Sequence, residues 1–242
     1  MGRRLLAEFL GTALLVTAVV GSGIMASTLS PGDVGLQLLQ NAIATALALG
    51  ALILIFGPVS GAHFNPVVSI ADWALGRRAR TGLPTTLLAG YLAAQTTGAV
   101  AGSVLANLMF DLDPITLSTR TRTGGHLWLG EVVATCGLLL LVFALARTGR
   151  TAAAPAAVGA YIGAAYWFTS STSFANPAVT IGRAFTDTFA GIAPASIPGF
   201  LLAQFAGLAI GAGLVLALYP DAGRAAGDVL VGHPATAEGD PR

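Results

Sequence analysis

Two short stretches of this chain carry matching groups. The first is Ser60-Gly61-Ala62-His63-Phe64-Asn65-Pro66-Val67-Val68-Ser69-Ile70, and the second is Ser173-Phe174-Ala175-Asn176-Pro177-Ala178-Val179-Thr180-Ile181. Proline suits the first position of a helix, because it lacks the N–H that would be orphaned there. Asparagine before it caps that helix through its side-chain oxygen. Each stretch therefore predicts a helix start, and each helix is too short before its next polar break to cross a membrane. The chemistry open to Asn65 and Asn176 is amide hydrogen bonding to a passing oxygen. One Asn-Pro pair is an ordinary cap. Two pairs in corresponding settings of a hydrophobic chain point to half-helices on a substrate path.

The elements that must position these groups are membrane spans. The chain of 242 residues is 55% hydrophobic and only 10% charged, where a soluble domain carries about 25%. Its 31 glycines suit close helix packing in lipid. Net charge is +1, which excludes the electrostatic footprint of a nucleic-acid binder. All twelve basic residues are Arg, a compositional bias and not a site. Cys136 is the single cysteine, so no internal disulfide forms, and no metal cluster or cofactor motif surrounds it. The first apolar segment follows Arg3-Arg4 and lacks a persuasive cleavage site, which predicts a retained helix.

A span needs about 20 mostly apolar residues. Six stretches qualify, near 5–27, 34–57, 83–109, 126–146, 153–170 and 196–219. The half-helices fall near 66–76 and 177–188, and residues 221–242 read as a disordered polar tail. With a cytoplasmic N-terminus, Arg3, Arg4, Arg77, Arg78, Arg80, Arg147, Arg150 and Arg224 lie inside, and only Arg120, Arg122 and Arg183 outside. Both termini are then cytoplasmic, and the half-helices dip in from opposite sides to meet near the midplane.

Further pairs support an internal repeat. Ala7-Glu8-Phe9-Leu10-Gly11-Thr12 matches Gly130-Glu131-Val132-Val133-Ala134-Thr135. Gln95 matches Gln204, and each is followed by a Gly-x-x-x-Gly pair, Gly98 with Gly102 and Gly207 with Gly211. The division is 1–110 and 111–220, each half holding three spans and a half-helix. An odd number of spans inverts the second half relative to the first. Glu8 and Glu131 are ionisable groups inside the membrane, suspects for proton relay by default. The structural alternative is bracing, with each carboxylate accepting backbone donors from a re-entrant loop that has no water to satisfy it.

These residues resemble an aquaporin, or major intrinsic protein, over 3–219. The resemblance rests on the Ala-Glu-Phe-Leu-Gly-Thr opening, Ser-Gly-Ala-His-Phe-Asn-Pro, the second Asn-Pro-Ala and the two Gln positions. It implies an all-α membrane protein, a right-handed bundle of six spanning helices plus two re-entrant half-helices in an inverted repeat. It implies a homotetramer in membrane lipid with one pore per subunit, both termini cytoplasmic, in the bacterial plasma membrane. It assigns Asn65, Pro66, Val67, Asn176, Pro177 and Ala178 to the pore midplane, His63 to the pore lining, and Glu8 and Glu131 to bracing. It implies no catalytic residue, cofactor or metal. Val67 stands where Ala is usual and is expected to add bulk just below the pore centre.

The resemblance breaks at the constriction. Water-selective members narrow the pore with an aromatic, a His and an Arg that directly follows the second Asn-Pro-Ala. Here that last position is Val179. Counting from the Asn residues places the partners at Thr45, Ala164 and Ser173, which predicts a wide filter with no large ring and no fixed cation. Arg183, four residues beyond Val179, is expected to pair at the surface with Asp187. Relatives with relaxed constrictions include bacterial channels linked to arsenic handling, and arsenite at neutral pH is an uncharged trihydroxy acid similar in shape to glycerol. The sequence thus predicts a passive channel for small neutral solutes, polyols or metalloid hydroxides such as arsenite, together with water. The alternatives are a water-selective channel with an unusual filter and an ion-coupled secondary transporter. The transporter is disfavoured by the scarcity of ionisable groups beyond Glu8 and Glu131.

Overall fold

The structure is a computed structural model that describes residues 1–77 and 81–220. Arg78, Arg80, Arg224 and the tail expected over 221–242 lie outside the described residues. The elements in order are α1 (Gly2–Leu29), α2 (Val34–Ser60), α3 (Pro66–Gly76), α4 (Thr85–Met109), α5 (Gly125–Arg147), α6 (Ala154–Phe168), α7 (Pro177–Gly182) and α8 (Ile197–Leu218). Among the described residues there is no strand.

The ends of these helices follow local chemistry. Asp33 caps α2 by accepting from Leu36 N at 2.9 Å, and Gly61 ends it at φ 86°, a left-handed conformation that costs glycine little. α3 and α7 both start on proline, capped by Asn65 and Asn176. α1, α2, α5 and the segment Pro194–Leu218 are each long and apolar enough to cross a membrane. α4 is long but more polar, with Thr96, Thr97, Ser103 and Asn107 along it. The 15 residues of α6 give roughly 22 Å of helix, less than the ~30 Å hydrocarbon core.

The second half-helix is shorter than the expected 177–188. It ends at Gly182, continues as one 3₁₀ turn over Arg183–Phe185, and Thr186 is extended. The carbonyls a longer helix would have used are taken by neighbours. Ser103 Oγ donates to Gly182 O at 2.7 Å, Ser118 N to Ala184 O at 2.9 Å, and Asn107 Nδ2 to Phe185 O at 3.1 Å.

The bundle packs α1 on α2 and α4, α5 on α6 and α8, and α2 on α6. The half-helices α3 and α7 each lie against both α4 and α8. Large apolar side chains such as Leu47, Leu54, Ile55 and Leu202 point outward, while Glu8, Gln95, Glu131 and Gln204 are fully buried. That distribution suits lipid outside and satisfied polar groups inside.

The α1–α4 crossing depends on Gly98 and Gly102. A Cβ on Gly98 would run into the Phe9 carbonyl, and one on Gly102 into the Ala13 carbonyl. Gly102→Leu is therefore expected to push the helices apart and cost about 1–3 kcal/mol or more, read as a lower melting temperature in detergent. Gly213→Ala in α8, where a Cβ meets nothing within 4 Å, is expected to be neutral or mildly stabilising.

Candidate functional site

The site is built from the two re-entrant loops that lead into α3 and α7. In each loop the residue directly before the Asn and the one two further back take positive φ: Phe64 at 50° and Ala62 at 49°, Ala175 at 47° and Ser173 at 49°. None is glycine, so each carries a steric cost of roughly 1–2 kcal/mol. This backbone leaves its amides outside any helix or sheet, and two buried carboxylates collect them.

Glu8 accepts from Ser60 Oγ at 2.6 Å, His63 N at 3.0 Å, Phe64 N at 2.8 Å and Gln95 Nε2 at 2.7 Å. Glu131 accepts from Phe174 N at 2.9 Å, Ala175 N at 2.8 Å and Gln204 Nε2 at 2.6 Å. Each Gln also donates into its own half-helix, Gln95 to Ser69 Oγ and Gln204 to Thr180 Oγ1, both at 2.9 Å.

The two Asn side chains then lock the loops to each other. Asn65 Nδ2 donates to Ala175 O and Asn176 Nδ2 to Phe64 O, both at 2.8 Å. Their Oδ1 atoms accept from the first turns of their own half-helices, Val67 N for Asn65, and Ala178 N and Val179 N for Asn176. An amide nitrogen carries two hydrogens. One of each is spent on the facing loop, and the other is available where both residues line a shared cavity.

That cavity has a volume of about 60 Å³, room for a short file of water-sized molecules. Its wall repeats at helical spacing: Thr45, Leu49 and Ile53 on α2, and Val158, Ile162 and Tyr166 on α6. Leu15, Val19, Leu138, Val142 and Val179 add aliphatic surface. His63, Phe64, Ser173 and Phe174 line it as well. The loop residues that line it carry polar groups without protein partners. The carbonyls of Ala62, Ser173 and Phe174 accept no hydrogen bond among the described residues, and the Ser173 hydroxyl has no partner there either. His63 bonds Ser69 Oγ through Nδ1 at 3.0 Å, lies edge-on to Tyr91, and has Nε2 3.9 Å from Asp72 Oδ2. Asp72 also accepts from Leu83 N at 2.7 Å, tying the chain beyond α3 back onto it.

Several expected positions are corrected. Thr45, Ser173 and Val179 line the cavity, but Ala164 is exposed on the far side of α6. Tyr166 takes its place, with its hydroxyl 3.2 Å from Thr45 Oγ1. The wall therefore does contain a large ring. Val67 is fully buried and does not line the cavity; Val68 does. Pro66, Pro177 and Ala178 are buried and shape the helix starts without lining the cavity.

Arg183 does not pair with Asp187. It is 2% exposed, stacks 3.5 Å from the centroid of Phe174 and donates through Nε to Ala190 O. Asp187 instead accepts from Thr119 N at 2.9 Å and from Thr119 Oγ1. Arg183 stands seven residues after Asn176, as Asp72 stands seven after Asn65. Counting onward from both Asn residues would have singled out this pair of opposite charges.

Three comparisons bear on this arrangement. The family model for the major intrinsic protein family matches residues 1–175. The aquaglyceroporin AqpS of Rhizobium meliloti (strain 1021) is 53% identical over 205 residues, 85% of each chain. Human aquaporin-2 is 35% identical over 164 residues, 64% of this chain and 56% of its own length. Among solved structures, the X-ray structure of the aquaglyceroporin from Plasmodium falciparum matches in fold with a TM-score of 0.66. The match is 20% identical and covers 91% of this chain and 98% of that one.

Replacing Glu8 by Gln leaves one acceptor oxygen and sets an NH₂ group against loop amides. Glu8→Gln is expected to cost about 2–4 kcal/mol, measured as a drop in melting temperature in detergent. The exposed change Asp113→Asn is expected to alter stability by less than about 0.5 kcal/mol.

Proposed function

The chain belongs to the major intrinsic protein family, and on that premise we propose how its pore selects among solutes. The protein is an integral membrane channel for glycerol-like solutes and water, and not an enzyme. The reading proposed here is a broad-specificity pore that passes polyols and neutral metalloid hydroxides such as arsenite alongside water. The observation that carries it is the mixed lining of the cavity. Leu15, Val19, Leu49, Ile53 and Val179 give it aliphatic wall, and Asn65, Asn176 and Ser173 bring polar residues to the same wall. A polyol is mixed in the same way, with a carbon edge and a hydroxyl edge. A trihydroxy acid presents the same donors and acceptors.

Selection against ions follows from the midplane. The remaining N–H of Asn65 and of Asn176 donates to a permeant oxygen, so a water held by both turns its own protons outward. That breaks a proton-conducting chain. The starts of α3 and α7 add positive potential, and Glu8 and Glu131 serve as braces, not as proton relays. Thr45, Tyr166, Ser173 and Val179 form the selectivity filter in this reading. His63 with Asp72 forms the opposite mouth. Both termini are placed in the cytoplasm of a bacterial cell, with Arg120, Arg122 and Arg183 outside, and the apolar outer belt serves lipid and the contacts of a homotetramer.

A second reading, a water-selective channel, is favoured by one observation: the Tyr166 ring, held by Thr45, narrows the end where Val179 would otherwise leave the pore wide. Stopped-flow light scattering on proteoliposomes, run for water, glycerol and arsenite, separates the two. The parent is expected to pass all three. Val179→Arg is expected to lose glycerol and arsenite by at least roughly tenfold while keeping water, and Tyr166→Ala to gain in glycerol. A parent that passes water alone overturns the broad reading in favour of the water-selective one.

A further inference from the structure

A second cavity of about 180 Å³ is lined by Val34, Leu38, Asn41, Thr172, Phe189 and three arginines, Arg120, Arg122 and Arg183. Its lining neighbours that of the pore along the chain. Asn41 is one helical turn before Thr45 on α2, Thr172 adjoins Ser173, and Arg183 lies one turn past Val179.

The arginines are held in place by three successive carbonyls. Arg120 Nη1 donates to Phe189 O at 2.7 Å, and Arg122 donates through Nε to Gly191 O at 2.9 Å and through Nη2 to Phe189 O at 3.3 Å. Arg183 takes the carbonyl between them, that of Ala190. Phe174 carries Arg183 on its ring and has Arg122 at 5.2 Å.

Carbonyls fix these groups without neutralising them. Among the described residues none of the three arginines forms an ion pair. The nearby carboxylates are spent elsewhere, Glu131 on the Phe174 loop and Asp187 on Thr119. Burial, with the charges of Arg183 and Arg120 beside it, pushes the Arg122 guanidinium down to about 9. Arg183 is 98% shielded (2% exposed), yet neither Nη1 nor Nη2 has a hydrogen-bond partner among the described residues, and the residue lines this cavity. Preoriented guanidinium forks with spare N–H groups match the geometry of a carboxylate or a tetrahedral oxyanion.

We propose that this vestibule is a binding site for a small soluble oxyanion, and that an anion seated there closes the Val179 end of the pore. The ligand is of the carboxylate or phosphate class. It bonds the free nitrogens of Arg183 and Arg122, with Arg120 on the exposed rim. Because Asn41, Thr172 and Arg183 of this cavity stand one helical turn or one residue from Thr45, Ser173 and Val179 of the pore wall, an occupied site is proposed to obstruct that end of the pore. No covalent bond is made or broken; the effect is reversible occupancy.

Isothermal titration calorimetry of the full chain in detergent, with inorganic phosphate and then acetate as probes, tests the binding. Water flux in neutral phosphatidylcholine vesicles, with phosphate replacing chloride at constant ionic strength and osmolarity, tests the closure. Saturable binding is expected, together with flux that falls over the same concentration range. Arg120→Gln is expected to weaken binding by about tenfold, and Arg120→Lys, which keeps the charge but not the fork, by less. Arg120 is exposed, so these variants test the site even if Arg183→Gln fails to fold. Absence of saturable binding, binding unchanged in Arg120→Gln, or binding that leaves flux untouched overturns the proposal. Calorimetry involves no permeant, so its outcome is independent of which solute the pore passes.

Discussion

Backbone amides without water are the constraint on which this structure depends. A loop that enters the membrane and stops halfway must find a partner for every N–H it exposes, because hydrocarbon offers none. Here Glu8 collects the His63 and Phe64 amides, and Glu131 those of Phe174 and Ala175. Each carboxylate is tied by a glutamine to the same half-helix, so the brace and the helix it supports form one unit. The strained residues Ala62, Phe64, Ser173 and Ala175 persist because these bonds over-determine them.

The crossed Asn bonds turn two supported loops into one channel. Each amide spends one hydrogen on the other loop, so neither half-helix start is placed without its partner. The same alternation that strains the backbone leaves the Ala62, Ser173 and Phe174 carbonyls without protein donors, in residues that line the cavity. Residues that line the cavity and residues that hold the loops together are thus the same few.

The two ends of the pore differ in charge although the supports are matched. Ser60 and Ser171 both hold the amide two residues on, and Ser69 and Thr180 both receive a glutamine. Seven residues past each Asn the correspondence ends, with Asp72 near His63 in the first half and Arg183 on Phe174 in the second. The chain has no Arg directly after the second Asn-Pro-Ala, but positive charge returns one helical turn further out, joined by Arg120 and Arg122. Positive charge there is spread over three arginines that line one cavity.

Much of this was legible in the linear order. Asn-Pro caps, apolar runs, the Glu and Gln pairs and the Gly-x-x-x-Gly pairs are local or repeated signals, so the spans, α3 and the start of α7 could be placed from residue types alone. The facing side of each helix could not. Ala164 and Tyr166 are two residues apart, a rotation of about 200° around the helix axis, and only packing of α6 against α2 decides which one meets Thr45. The length of α7 was equally out of reach, because Ser103, Asn107 and Ser118, far away in sequence, take its carbonyls. So was the destination of Arg183, whose carbonyl partner and aromatic support come from two separate loops. The sequence by itself determined which groups exist and how they repeat, since those are properties of order and spacing. Tertiary structure decided which of them share the pore wall, since that is a matter of helix phase and long-range hydrogen bonding.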